Sequence, residues 1–255
     1  MPLHFPQHPS LIAYVTCGDP DLVSTREIVL AAIEAGANVI ELGVPFSDPV
    51  ADGPVIQRAS QRALRKGTRL DQVIALAADI RKQSPTVGLI IFSYLNPILR
   101  MGLPRFVAGL EQASIDGALI TDLPVEEAGE YFKAMGEHRL AAVFLAAPTS
   151  TDQRLQRIAR ASSGFVYAVS RTGVTGTRQH FPQDAETLVG RLRRYTKLPV
   201  AVGFGISTAE QFSSVGAFAE AAVVGSAIVE TIERNPGKEA QSVAKFVRSL
   251  IAGRG

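Results

Sequence analysis

With one cysteine, Cys17, in 255 residues, the chain can build neither an internal disulfide nor a cysteine-based metal cluster. That cysteine reads as a small packing residue rather than a nucleophile, because the nearest histidines in sequence, His4 and His8, lie in a Pro-rich tail with no fixed place beside it. Long apolar runs are absent as well. None reaches the roughly 18 residues that a membrane-spanning helix needs, and the opening MPLHFPQHPS lacks the charged and apolar regions of a secretion signal. A soluble cytoplasmic protein is therefore expected. Nor is there a surplus of one charge: 26 Lys and Arg stand against 24 Asp and Glu, with no basic run of nucleic-acid-binding length. Neither nucleic acid nor a membrane is expected as a partner, while local basic residues remain able to hold a small anion.

What is present is a rhythm. Hydrophobic residues make up 46% of the chain, enough for a full core, and they fall into short apolar runs alternating with amphipathic stretches. Strands are predicted at 11–16, 38–42, 87–93, 118–121, 141–145, 165–170, 200–204 and 221–224. Helices are predicted at 23–35, 55–66, 70–82, 104–113, 126–136, 151–161, 185–195, 208–215, 227–234 and 238–252. Each strand is followed by a helix and is too continuously apolar to face water, which implies a parallel sheet covered on its outside. The strands begin about 30 residues apart, one βαβ repeat. The expected α/β fold is a single (β/α)8 TIM barrel occupying 1–255 as one domain, with an extra helix after strand two and a short N-terminal tail. A doubly wound open sheet would want a Gly-rich fingerprint after the first strand, and CGDPD at 17–21 lacks the second and third glycines.

Functional groups in such a barrel collect beyond the C-terminal ends of the strands. The six lysines, at 66, 82, 133, 197, 238 and 245, all fall on predicted helices or at the opposite rim, which speaks against a Schiff base. The four histidines include no pair at ligand spacing, so no imidazole-bound metal is expected, and no G-x-S-x-G elbow offers a nucleophile. Carboxylates remain. The densest stretch is 39–57, VIELGVPFSDPVADGPVIQ, where Glu41 ends an apolar strand and Asp48 and Asp52 lie in a loop stiffened by Pro45, Pro49 and Pro54. Glu41 has apolar neighbours on either face, and partial burial would raise its pKa toward neutrality and let it give and take a proton. The alternative is a strand-end acid paired with an arginine such as Arg171. Asp52 completes an acid/base pair if the loop folds over the barrel mouth, and Asp48, in Ser-Asp-Pro, reads as a turn or interface residue.

Near the end of the chain SRTGVTG (170–176), GFGIS (203–207) and Gly225-Ser226 each follow a strand, and the last two open helices. Backbone N–H groups at such places form an anion site, so a phosphorylated substrate is favoured over turn chemistry alone. Tyr94, Tyr167 and Phe204, at or near strand ends, line an aromatic-sized slot or serve as barrel packing.

Six segments together carry a family resemblance: ELGVPFSDPVADGP (41–54), YVTCGDP (14–20), TDLPVEE (121–127), SRTGVTG, GFGIS and GSAIV (225–229). Over nearly its whole length the chain resembles the tryptophan synthase α-subunit family. The resemblance implies cleavage of indole-3-glycerol phosphate to indole and glyceraldehyde 3-phosphate, a retro-aldol lyase step of tryptophan biosynthesis without a cofactor. It makes Glu41 the proton shuttle, Asp52 the holder of the indole N–H, and Tyr167 a tyrosine beside the active carboxylate. Phosphate would rest on Gly176, Gly205, Gly225 and Ser226, with Thr175 meeting Asp52 on loop closure and Tyr14, Tyr94 and Phe204 lining the substrate pocket. It also implies a β-subunit partner that carries pyridoxal phosphate and receives indole in an α2β2 heterotetramer, docked on 95–102 and the loop around Asp48. A free-standing lyase and a non-catalytic activator of β stand as alternatives. Two departures from the family are visible: Tyr14 replaces the usual phenylalanine, and the short, Pro-broken N-terminus leaves the helix that usually plugs the barrel bottom reduced or absent.

Overall fold

A computed structural model of the chain describes residues 3–169, 181–203 and 205–253. Its strands are β1 (Ser10–Thr16), β2 (Val39–Gly43), β3 (Gly88–Ser93), β4 (Gly117–Ile120), β5 (Ala141–Val143), β6 (Leu145–Ala146), β7 (Val166–Val169), β8 (Val200–Gly203) and β9 (Ala221–Val224). All pair in parallel, in the order β5-β4-β3-β2-β1-β9-β8-β7-β6. The two ends of that order are one stretch of chain, because only Phe144 separates β5 from β6. The run expected as one strand at 141–145 is thus divided: its first half bonds β4, its second half bonds β7, and the Phe144 carbonyl accepts from the Tyr167 N–H at 3.1 Å. This shared stave closes the sheet, and the fold is the (β/α)8 barrel.

Side chains alternate across each strand. Ile12, Val39, Ile90, Leu119, Val143, Phe165, Ala201, Ala221 and Val223 fill the barrel interior, while Leu11, Ala13, Val15, Ile40, Leu42, Leu89 and Ile91 pack outward in the large core cluster with the helices. The extra helix after the second strand is present as α3 (Leu70–Gln83), following α2 (Pro54–Arg65); α1 (Leu22–Glu34) precedes them. The next helix, α4 (Leu95–Met101), has no counterpart in the sequence reading. It spans only seven residues, contains Pro97, and has no local capping side chain; Asp122, beyond β4, caps it by accepting from the Leu95 N–H at 2.7 Å. A cap supplied from 27 residues away leaves no local signature.

The N-terminal tail contains no helix between residues 3 and 9. Leu3 and Phe5 nevertheless pack into the interior cluster, Phe5 edge-on to Phe165 with ring centroids 5.8 Å apart. Leu3 fits because Gly88 and Gly164 lack the Cβ that would come within 2.8 and 2.9 Å of it. An extended, apolar tail therefore closes the barrel floor. At the other end, α2 is tied down by charge: Arg62 grips Asp19 through two bonds of 2.7 and 2.8 Å, and also reaches Glu233 on α10 (Ser226–Arg234), which Arg58 holds as well. Among the described residues no helix is long and apolar enough to cross a membrane.

Candidate active site

Glu41 is the third residue of β2, on the same face as Val39, so its side chain enters the barrel. It is fully buried, and among the described residues neither carboxylate oxygen has a hydrogen-bond partner. Burial pushes its pKa up to about 8. Arg171, the arginine named as its alternative partner, lies outside the described residues. Across the ladder from Glu41 stand Tyr14 on β1 and Ile90 on β3. Tyr14 lies edge-on to Phe92, with centroids 5.1 Å apart, and accepts a bond from Thr16 Oγ1 at 3.4 Å. Tyr167 projects from β7 close enough that the charges of Glu41 and Asp52, after burial, hold its phenol protonated.

The two interior tyrosines owe their positions to glycines. A Cβ at Gly43 would stand 2.3 Å from the Tyr14 hydroxyl, and one at Gly203 would stand 2.2 Å from that of Tyr167. Neither glycine was singled out in this role from sequence, where Gly203 is read as part of a phosphate loop. The signal lies in register: each glycine is on the strand next to its tyrosine, two residues beyond the tyrosine's ladder partner.

The loop after β2 brings in the second carboxylate. The Asp52 N–H donates to the Pro49 carbonyl at 3.0 Å and Gln57 Nε2 to the Asp52 carbonyl at 2.8 Å, while the Ala51 N–H donates to the Tyr94 hydroxyl at 2.9 Å. Burial raises the Asp52 carboxyl to about 6, opposed by the neighbouring Tyr94 hydroxyl. Tyr94 follows β3, is buried, and stacks on Phe46 of the same loop at 5.0 Å. Asp48 is exposed and accepts from Ser47 Oγ. Two carboxyls with separated pKa values result: near pH 7 Glu41 is mostly protonated and Asp52 mostly ionised, which equips the site to donate a proton and to hold a cationic or N–H-bearing group.

On the far side, Gly205 adopts φ +80° with open space where a side chain would begin, a conformation that favours glycine. Gly225 is the N-cap of α10 without a side-chain cap, and the first helical bond runs from the Val229 N–H to the Gly225 carbonyl. The N–H groups of Ser226, Ala227 and Ile228 thus have no intrahelical acceptor and form a turn suited to an anion. Thr175, Gly176 and Phe204 lie outside the described residues, as does His180. All six lysines are exposed, and the described His, Cys, Asp and Glu form no cluster of three suited to a metal.

A closed parallel barrel with its perturbed carboxyls gathered at one mouth has the build of a barrel enzyme working by acid/base chemistry. Residues 3–252 match the family described as "Tryptophan synthase alpha chain", and the chain belongs to that family, making it an enzyme of tryptophan biosynthesis. It is 52% identical over 248 residues to the tryptophan synthase alpha chain of Solibacter usitatus, covering 96% of this chain and 92% of that one. The Geotalea daltonii protein of the same name is 44% identical over 246 residues, with 96% and 92% covered. Among solved structures, a tryptophan synthase complex from Pyrococcus furiosus contains a chain similar at 38% identity and TM-score 0.88, with 96% of this chain and 99% of that one covered. A ligand-free tryptophan synthase from M. tuberculosis matches at 35% identity and TM-score 0.87, with 96% and 93% covered.

Proposed function

We propose that this chain cleaves indole-3-glycerol phosphate to indole and glyceraldehyde 3-phosphate. The reading rests above all on Glu41, a fully buried carboxyl inside the barrel with no hydrogen-bond partner among the described residues and a pKa near 8. In the protonated form Glu41 gives its proton to the indole carbon bearing the side chain. The resulting carboxylate then takes the proton of the adjacent hydroxyl as the carbon–carbon bond breaks, so Glu41 ends protonated as it began. Asp52, ionised, accepts the indole N–H and stabilises the positive charge that ring protonation creates. Tyr167 and Tyr14 flank the ring, and phosphate sits at Gly205, Gly225 and the first turn of α10. The proton balance closes on this chain's own residues, so no cofactor is assigned to it, and pyridoxal phosphate belongs to the β-subunit.

The proposed partner is that β-subunit, in an α2β2 assembly. Two large apolar side chains support the docking face: Val50, 87% exposed beside Asp48, and Leu99, 63% exposed on α4. Indole release from the purified chain, measured with and without β, tests the whole reading. A large rise on adding β is expected; high turnover alone would identify a free-standing lyase, and β activation with no indole in either case a non-catalytic activator. Glu41→Gln is expected to lower kcat by about 10³-fold, within the range of positioned acid/base groups, and full retention of indole production would overturn the mechanism.

A further inference from the structure

We propose that Asp122 is a positioning residue for assembly: by accepting the Leu95 N–H it sets how α4 is presented to the β-subunit. The inference rests on the reading of α4 and the loop after β2 as the docking face. α4 has little of its own to hold it in place. It is seven residues long, its N-cap Tyr94 makes no side-chain capping bond, and Ile98 is its one buried residue. So short a helix does not stand by itself. The first N–H groups of a helix have no acceptor within it, and Asp122 Oδ1 takes that of Leu95 at 2.7 Å.

The sheet puts Asp122 where it can do this. The ladder between β3 and β4 runs on past the end of β4, where the Thr121 N–H donates to the Ser93 carbonyl at 2.9 Å. Two adjacent residues leaving β4, Thr121 and Asp122, thus bond two groups leaving β3, at Ser93 and Leu95. Tyr94, between those groups, reaches the opposite way: its hydroxyl accepts the Ala51 N–H at 2.9 Å and its ring stacks on Phe46 with centroids 5.0 Å apart. The turn 93–95 is therefore fastened to β4 on one side and to the loop after β2 on the other. The exposed apolar side chains of the docking face lie just beyond these fastenings, Val50 next to Ala51 and Leu99 one helical turn after Leu95. Asp122 is itself exposed, so water competes for its bond and a moderate effect is expected from losing it.

The test is calorimetric titration of the β-subunit with the full chain. Asp122→Ala removes the acceptor and is expected to weaken β binding about fivefold, the scale of one helix cap. Asp122→Asn keeps an oxygen that accepts the same N–H and should bind β within about twofold of wild type. Indole formation without β should keep its kcat in both variants. Equal losses in the two would mean that β reads the charge directly, and unchanged affinity in Asp122→Ala would make the bond dispensable; either result overturns the inference. Leu99→Glu tests the docking face separately. If it leaves β binding unchanged, the face lies elsewhere and both readings fail; if it weakens binding while Asp122→Ala does not, the role of Asp122 alone fails. Should Asp122→Ala fail to fold, hydrogen exchange in the wild-type chain decides: a slowed Leu95 amide is expected, and one that exchanges as freely as in an unfolded chain refutes the proposal.

Discussion

In the proposed reaction Glu41 gives and takes a proton out of contact with water, and the same isolation links its charge to stability. Its ordinary carboxyl pKa is 4.5 and its folded value about 8. The folded state thus prefers the neutral form, and the stability it contributes is fully present below about pH 4.5. As pH rises from there to about 8 the unfolded chain ionises first, and that contribution drains away, by up to about 5 kcal/mol. Glu41→Gln has no proton to lose, so urea unfolding should show the wild type losing ground to it across that window. A constant difference between the two would mean that Glu41 is not held neutral. The glycines under the tyrosines make a steric claim of the same precision. Gly203→Ala places a Cβ 2.2 Å from the Tyr167 hydroxyl and 2.7 Å from its ring carbon, and overpacking of this kind costs about 1–3 kcal/mol. Adding Tyr167→Phe removes the first clash but not the second, so thermal melting should recover in part and not fully.

Among the elements, α2 shows how the site loop is anchored at its far end. Asp19 is 2% exposed and would be an unpaired buried charge without Arg62, while Arg58 and Arg62 together hold the Glu233 carboxyl down at about 2. Removing one partner of a buried pair costs more than removing both. Arg62→Met is expected to destabilise by about 2 kcal/mol, discounted because the arginine itself is partly exposed, and the double variant with Asp19→Asn should regain part of that loss in denaturant titration. Elements of this sort also mark where sequence was legible. β9 falls at 221–224, as expected from its unbroken apolar run, and α3 begins at Leu70 as its periodicity requires. α4 was not legible, because its cap comes from Asp122. The division of 141–146 into two strands was not either, since it depends on which neighbour each half must bond.

The barrel as a whole has two differently finished ends. At the mouth, residue type marked Glu41 and Asp52 as candidates, because acids beside an apolar strand and in a proline-rich loop are conspicuous in sequence, but only the family resemblance gave them roles. Their pKa values and the tyrosine and glycine pairs around them arise from strand register, which one-dimensional patterning does not reveal. The floor was legible only as a missing helix. Leu3 and Phe5 stand alone among prolines, histidines and a glutamine, with no periodicity to announce that they enter the barrel, yet Phe5 meets Phe165 and Leu3 occupies the space above two glycines. This plug is stabilising and remote from the chemistry, and the two properties separate in one variant. Phe5→Ala removes a partly buried ring, for which about 2 kcal/mol is expected, below the range for a fully buried phenylalanine. Asp52 lies in the loop beyond the opposite end of β2 and Glu41 stands midway along that strand, so kcat for indole formation at a temperature well below the melting transition should be unchanged. A lowered melting temperature with intact turnover fits a floor plug; a fall in kcat at full foldedness would mean that the tail reaches the site through the barrel core.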